Sequence, residues 1–258
     1  MRVLSDMWSM TKRSLRHTTR SLDTIITVVL TPIAMMLLFV YVFGDSLGQQ
    51  TGSVAYVDYI LPGVIVMTVG SGIAYAALRL SMDLQKGIIG RFRTMPVAPS
   101  SVLSGQALSS TLSNLFSSAL VLVVAFVVGF RPVAGVGAWL WFAGLLALFT
   151  LATTWMAMFF GLLAKTPEGA GAFAYILLLL VFLSPAFVPT ETMTPLLRGF
   201  AENQPITPIV ETMRSLLTEG TPGDAAGAAL AWSLGILVAF YTLALAVYRR
   251  REPVPVAF

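Results

Sequence analysis

The sequence has no cysteine and a single histidine, His17. Disulfides, thiolate-held zinc, iron–sulfur clusters and thiol catalysis are therefore excluded. One imidazole also argues against a multi-histidine metal centre or a histidine-based triad. Charge is scarce too: only 11% of the 258 residues are Asp, Glu, Lys or Arg, and 57% are apolar. Soluble domains run near about 25% charged and roughly 45–50% apolar. So few charges cannot solvate the outer shell of a globular domain of this size, which excludes a cytosolic globular enzyme and a disordered chain. The net charge of +4 is small and sits beside the apolar runs, so no nucleic-acid partner is expected.

Two further absences bear on energy supply. No G-x-x-x-x-G-K-[ST] phosphate loop occurs, and the one Lys–Gly pair, Lys86-Gly87, runs in the wrong order. No acidic or basic residue lies well inside an apolar run; Asp23, Arg79, Lys165 and Glu168 stand at run ends, where they reach water. Intramembrane charges mark proton relays, ion pathways and voltage sensors, so their absence argues against a proton-coupled antiporter, a lone pump or a voltage-gated channel. A sodium site built from backbone carbonyls stays open. No nucleophile–base or carboxylate pair suggests catalysis, and no cofactor or metal site is expected on the chain itself.

What is present is greasy and periodic. A membrane helix needs about 20 mostly apolar residues, because the hydrocarbon core is roughly 30 Å thick. Six stretches qualify: residues 24–44, 59–80, 107–129, 135–163, 169–188 and 228–248. They are too long and continuous for barrel strands, so an all-α polytopic membrane protein is expected, forming one transmembrane domain over residues 1–258. An even number of spans puts both termini on one side. That side holds 13 of the 16 Lys and Arg residues, leaving only Arg131, Arg198 and Arg214 opposite. The bias predicts cytoplasmic termini. The long basic N-terminal region and full-length first span do not read as a cleaved signal.

The segments between spans carry their own patterns. In Leu4 to Leu22, residues Leu4, Trp8, Thr11, Leu15, Thr18 and Leu22 share one helical face, opposite Lys12, Arg13, Arg16 and Arg20. An amphipathic helix in the cytoplasmic interface is expected over residues 1–23, as a surface anchor or also a partner contact. In the cytoplasmic loop 81–105, Leu84, Ile88, Phe92 and Met95 form an apolar stripe among Asp83, Lys86, Arg91 and Arg93, ended by Pro96 and Pro99. Such a helix lies on lipid or fills a groove in another protein. On the far side, residues 189–227 predict two short helices. Thr194-Pro195 and Thr207-Pro208 each read as a cap followed by proline, and Gly220 closes the second helix. The pair suggests an interfacial or re-entrant lid, or a simple folded loop.

Within the spans, Ser109, Ser110, Thr111, Ser113, Asn114, Ser117 and Ser118 form a small polar stretch suited to close helix packing; a polar patch on a substrate path is the other reading. Phe39, Tyr41, Phe43, Tyr75, Tyr175 and Phe182 stand among aliphatic residues as packing, lipid-facing or pathway aromatics. The candidate path residues are Phe39, Phe43, Tyr75, Asn114, Tyr175 and Phe182. Pro32, Pro62 and Pro185 are candidate kinks.

Several segments together resemble the permease subunit of type-2 ABC exporters, in particular the daunorubicin/doxorubicin-resistance permease group. They are Phe43-Gly44, Tyr59-Ile60-Leu61-Pro62-Gly63, Asp83 through Pro96, Gly161 through Glu168, Ser184 through Met193 and Met213-Arg214-Ser215-Leu216-Leu217. The resemblance spans nearly the whole chain. It implies six spans, a second permease subunit (the same chain or another) and two ATP-hydrolysing partner subunits that carry the ATP and magnesium. It implies that Asp83, Leu84, Lys86, Gly87, Ile88, Arg91, Phe92 and Arg93 form the coupling helix seated in the ATPase. It also implies an N-terminal interface helix with Trp8, Lys12, Arg13, Arg16 and Arg20. Two positions depart from the group: Gln85, where an acidic residue is common, and Gln204-Pro205 after Asn203, where Asn-Pro is usual. The expectation is a subunit of an ATP-driven exporter in the bacterial cytoplasmic membrane, moving a drug-like or lipid cargo outward. The alternatives are an ATP-independent transporter or channel, or a membrane assembly factor that moves nothing.

Overall fold

The computed structural model describes residues 22–44, 55–86 and 99–250. Among the described residues every regular element is a helix: α1 (Leu22–Val42), α2 (Tyr56–Gln85), α3 (Pro99–Val128), α4 (Val136–Leu163), α5 (Pro167–Phe182), a 3₁₀ turn (Thr190–Thr192), α6 (Pro195–Asn203), α7 (Ile206–Thr218) and α8 (Ala226–Arg250). Four of them, α2, α3, α4 and α8, are long and apolar enough to cross a membrane. α5, at 16 residues, is shorter. The expected helix at residues 1–23 lies outside the described residues but for its last two positions. So do Trp8, Lys12, Arg13, Arg16, Arg20, Gly87, Ile88, Arg91, Phe92 and Arg93.

The bundle is built around α2. Within the apolar window of each helix, 83% of residues are buried in α2, 67% in α4, 33% in α3 and 11% in α8, so α2 is the axis and α8 the outermost long helix. α2 packs on α1, α3, α4, α5 and α7, while α8 packs on α4 and α7. Lipid is as apolar as leucine, so these contacts rest on close packing rather than on expulsion of water. Glycines supply the closeness. A Cβ at Gly161 would stand 2.9 Å from the Ala77 carbonyl oxygen, and one at Gly63 would stand 2.7 Å from the Ala186 Cβ. Around α2, Ile60, Leu61, Ile65 and Ile73 are fully buried with Phe149 of α4 and Met213 of α7. A second cluster, with Leu80, Leu103, Trp155 and Tyr248, closes the other end.

Several boundaries differ from the sequence expectation for physical reasons. The loop expected over 81–105 is shorter, because α2 runs on to Gln85 and α3 begins at Pro99. The fifth apolar run was expected to reach residue 188, yet α5 stops at Phe182. There the Ser184 hydroxyl donates back to the Val181 carbonyl at 2.6 Å, and Pro185 has no N–H with which to continue the ladder. Pro185 therefore ends a helix rather than kinking one, whereas Pro32 and Pro62 do lie inside helices. α6 begins at Pro195 after Thr194, as its spacing suggests. α7 begins earlier than expected, at Ile206 after Pro205, and the Thr207 hydroxyl donates to the Ala201 carbonyl instead of capping. Gly220 follows α7 with φ +76°, a value glycine adopts without steric cost.

Candidate functional site

The last turn of α5 presents a specific problem. Its 16 residues span about 24 Å at 1.5 Å per residue, short of the roughly 30 Å of hydrocarbon. A helix end leaves its final carbonyls without intrahelical donors, and lipid supplies none. Gln204 meets that need within the helix, and three further polar side chains serve the carbonyls of the turn that follows it. The Gln204 amide donates to the Leu180 carbonyl at 2.7 Å. The Tyr59 hydroxyl donates to the Pro185 carbonyl at 3.1 Å, and the Tyr56 hydroxyl to the Phe187 carbonyl at 3.2 Å. The Arg214 guanidinium also donates to the Pro185 carbonyl. The turn over residues 183–188 is thus fastened to the first turns of α2, with Ala186 resting against Gly63.

Arg214 sits at the centre of this arrangement. Its Nε donates to the Tyr59 carbonyl at 3.1 Å, and its guanidinium carbon lies 3.7 Å from the centroid of the Tyr59 ring, a cation–π geometry. α7 positions it: Ile209, Val210, Met213, Leu216 and Leu217 are buried and press the helix onto the bundle. No carboxylate of the described residues lies within ion-pair distance of Arg214, so main-chain dipoles and an aromatic face hold the cation. Burial lowers the Arg214 pKa below its ordinary value and raises that of Glu211, one turn earlier on α7. Nearby contacts fix α7 further. The Val133 N–H donates to the Leu217 carbonyl at 3.0 Å, and the Arg131 N–H donates to Asp58 Oδ1 at 3.3 Å.

An aromatic row runs across the same end. Phe43, just past α1, and Phe39 of α1 have ring centroids 5.8 Å apart; Phe39 stacks on Phe187 at 4.8 Å, and Phe187 stacks on Phe182 of α5 at 5.3 Å. Three candidate path residues, Phe39, Phe43 and Phe182, are therefore joined through Phe187. The sequence reading missed Phe187, which lies in the stretch expected to be helical. The other candidates are elsewhere. Tyr75 and Tyr175 lie nearer the Gln85 end, both exposed, Tyr175 at 74%. Asn114 is buried in α3, so close to Gly72 that a Cβ there would fall 1.5 Å from its Oδ1. Among the described residues its Nδ2 finds no hydrogen-bond partner, nor do the Ser118 and Thr150 hydroxyls. Thr111 and Thr154 meet at 3.4 Å in the same seam between α3 and α4. Polar seam and aromatic row are separate features.

At the Gln85 end, Asp83, Leu84 and Lys86 close α2. Leu84 packs against the cluster of Leu80, Leu103 and Tyr248, and Lys86 is exposed. The Gln85 amide donates to the Lys165 carbonyl at 3.1 Å, tying the end of α2 to the link between α4 and α5. A carboxylate here could accept but not donate, so the departure at Gln85 carries a contact that the common acidic residue cannot make. Gln204 likewise donates through its amide nitrogen, to the Leu180 carbonyl.

The profile of the ABC-2 type transporter family matches residues 5–218. The chain belongs to the ABC-2 type transporter family. As an ABC-2 protein with long apolar helices it is an integral membrane protein. The match includes the aromatic row, the 183–188 turn, Gln204 and Arg214, while α8 lies beyond it. The daunorubicin resistance ABC transporter permease protein DrrB1 of Streptomyces coeruleorubidus is 30% identical over 234 residues, covering 88% of this chain and 80% of that protein. The probable doxorubicin resistance ABC transporter permease protein DrrC of Mycobacterium tuberculosis is 22% identical over 243 residues, 93% of this chain and 87% of that protein. The inner membrane transport permease YadH of Escherichia coli is 25% identical over 191 residues, 71% and 72% of the two chains.

Proposed function

We propose that this chain is the permease subunit of an ATP-driven exporter. It crosses the bacterial cytoplasmic membrane six times with both termini inside, which makes the Tyr56 end of α2 the outer end. It pairs with a second permease subunit and takes power from a separate cytoplasmic ATPase that binds ATP and magnesium; the chain itself catalyses nothing and holds no cofactor. The cargo is an amphipathic or hydrophobic molecule, drug-like or lipid, as the names of DrrB1 and DrrC suggest. Asp83 to Arg93 seat in the ATPase. The helix bearing Trp8, Lys12, Arg13, Arg16 and Arg20 lies on the inner leaflet. Phe39, Phe43 and Phe182 offer flat apolar surface along the exit.

The observation that carries this reading is the family match over residues 5–218 on a chain that has no phosphate-binding loop of its own. ATP binding closes the ATPase subunits, the segment between α2 and α3 follows them, and α2, which runs from that segment to the outer end, carries the movement across the bundle. The test is partner dependence. Purified from membranes together with an ABC ATPase of the same organism, the chain is expected to raise that enzyme's ATP hydrolysis; failure to bind any such ATPase would overturn the reading.

A further inference from the structure

We propose that Arg214 is the positioning residue that latches the outer exit shut, by holding the 183–188 turn against the first turns of α2. The sense of "outer" rests on the topology proposed above; the latch itself rests on the geometry. Helices α2 and α5 are packed together along their lengths and cannot part cheaply. The Gly70 position lies against Leu177 and Leu178, and Gly171 lies against the Ala74 carbonyl. Beyond Phe182 that packing gives way to irregular backbone, and the turn is held by side-chain hydrogen bonds together with the Ala186 contact on Gly63 and the stacking of Phe187. Bonds of this kind exchange, and irregular segments absorb the φ/ψ change of an opening movement.

Arg214 is the member of this set whose loss frees the turn. It donates to Pro185 and, through Nε, to Tyr59, whose own hydroxyl also reaches Pro185. One guanidinium thus fixes the turn and the tyrosine that shares it. Its partners are neutral carbonyls rather than a carboxylate, so releasing them does not strand a buried anion. Phe187, within the turn, stacks on Phe39 of α1 and on Phe182 of α5. Moving the turn off α2 therefore separates α1 from α5 along the aromatic row and opens a greasy slot at that end.

The chain's lack of cysteine makes the test direct. Ser184, 1% exposed, becomes the reporter as Ser184→Cys in the full chain with its ATPase. It is labelled in intact cells and in inverted vesicles with a membrane-impermeant maleimide. Leu196→Cys, at a position 86% exposed, is the control for access. The otherwise unaltered protein is expected to label slowly at position 184. Arg214→Gln should raise that rate at least about tenfold, and Arg214→Lys less, because an ammonium cannot span two carbonyls as the planar fork does. Tyr59→Phe should give a smaller rise. Rates at position 184 that do not change in any variant, with position 196 labelling normally, would overturn the latch. If Arg214→Gln fails to reach the membrane, Arg214→Lys and Tyr59→Phe decide the matter by the same criterion. Labelling of position 196 only in inverted vesicles would show that the proposed orientation is wrong, and the effect of the variants on position 184 would then be read from those vesicles.

Discussion

Arg214 and Tyr59 lie face to face, 3.7 Å from guanidinium carbon to ring centroid, and both donate to the Pro185 carbonyl oxygen. A buried acceptor that loses its donor costs about 1–3 kcal/mol. Arg214→Met takes one donor each from the Tyr59 and Pro185 carbonyls, Pro185 keeping the Tyr59 hydroxyl, and removes the cation from the ring, whereas Tyr59→Phe takes one donor from Pro185 and keeps the ring. In thermal unfolding of the detergent-solubilised protein, Arg214→Met is expected to lower Tm by several degrees more than Tyr59→Phe. Equal effects would mean that the guanidinium adds nothing beyond the hydroxyl.

Gly72 and Asn114 occupy one volume. A Cβ at Gly72 would lie 1.5 Å from Asn114 Oδ1, so Gly72→Ala forces the amide aside at a cost of about 1–3 kcal/mol. Asn114→Ala vacates the space and also removes an unpartnered buried amide nitrogen. The double variant is expected to be more stable than Gly72→Ala alone, with a coupling of about 1 kcal/mol or more in a double-mutant cycle. Additive effects would contradict the contact.

Burial raises the Glu211 pKa, with Arg214 opposing the rise. The half-buried site therefore favours the protonated carboxyl. Its contribution to stability is fully present below the ordinary glutamate value of about 4.3 and is lost as pH rises through the raised value. Glu211→Gln has no such dependence. Measured by Tm, the variant should gain on the parent protein as pH rises above about 4; a difference that stays constant with pH would show that Glu211 titrates alike in both states.

Gln85→Glu keeps the shape of the side chain but not its donor, so the contact to the Lys165 carbonyl is lost and two acceptors meet. In the proposed complex this variant should retain ATPase binding while ATP-driven efflux falls several-fold. Gln85→Lys, which restores a donor, should recover part of it. Equal efflux in both variants would remove Gln85 from the link between α2 and α5.

The long helices were legible because membrane thickness sets a length that a run of apolar residues meets or fails to meet. α6 was legible too, because Thr194-Pro195 is a local signal. The end of α5 was not. Apolar residues continue past Phe182, and only the Ser184 back-bond and the missing N–H of Pro185 stop the helix there. Arg214 read as one more external charge because its partners lie 155 and 29 residues away in sequence. Its apolar neighbours Met213, Leu216 and Leu217 were the available sign that this arginine belongs to a buried helix. Phe187 was missed for the same reason: its stacking partners come from two other elements. Phe39, Phe43 and Phe182 were picked by residue type, and tertiary structure decided that they, and not Tyr75 or Tyr175, fall into one row.

Power enters from outside the chain, through the segment between α2 and α3. Proteoliposomes containing the permease with its ATPase, loaded with ATP on the ATPase side, can be followed for uphill movement of a fluorescent amphipathic drug. The account predicts transport that needs both ATP and the ATPase, and that Arg91→Glu or Phe92→Ala lowers severalfold while both proteins remain assembled. Uphill transport by the permease alone, or undiminished transport in both variants, would contradict it.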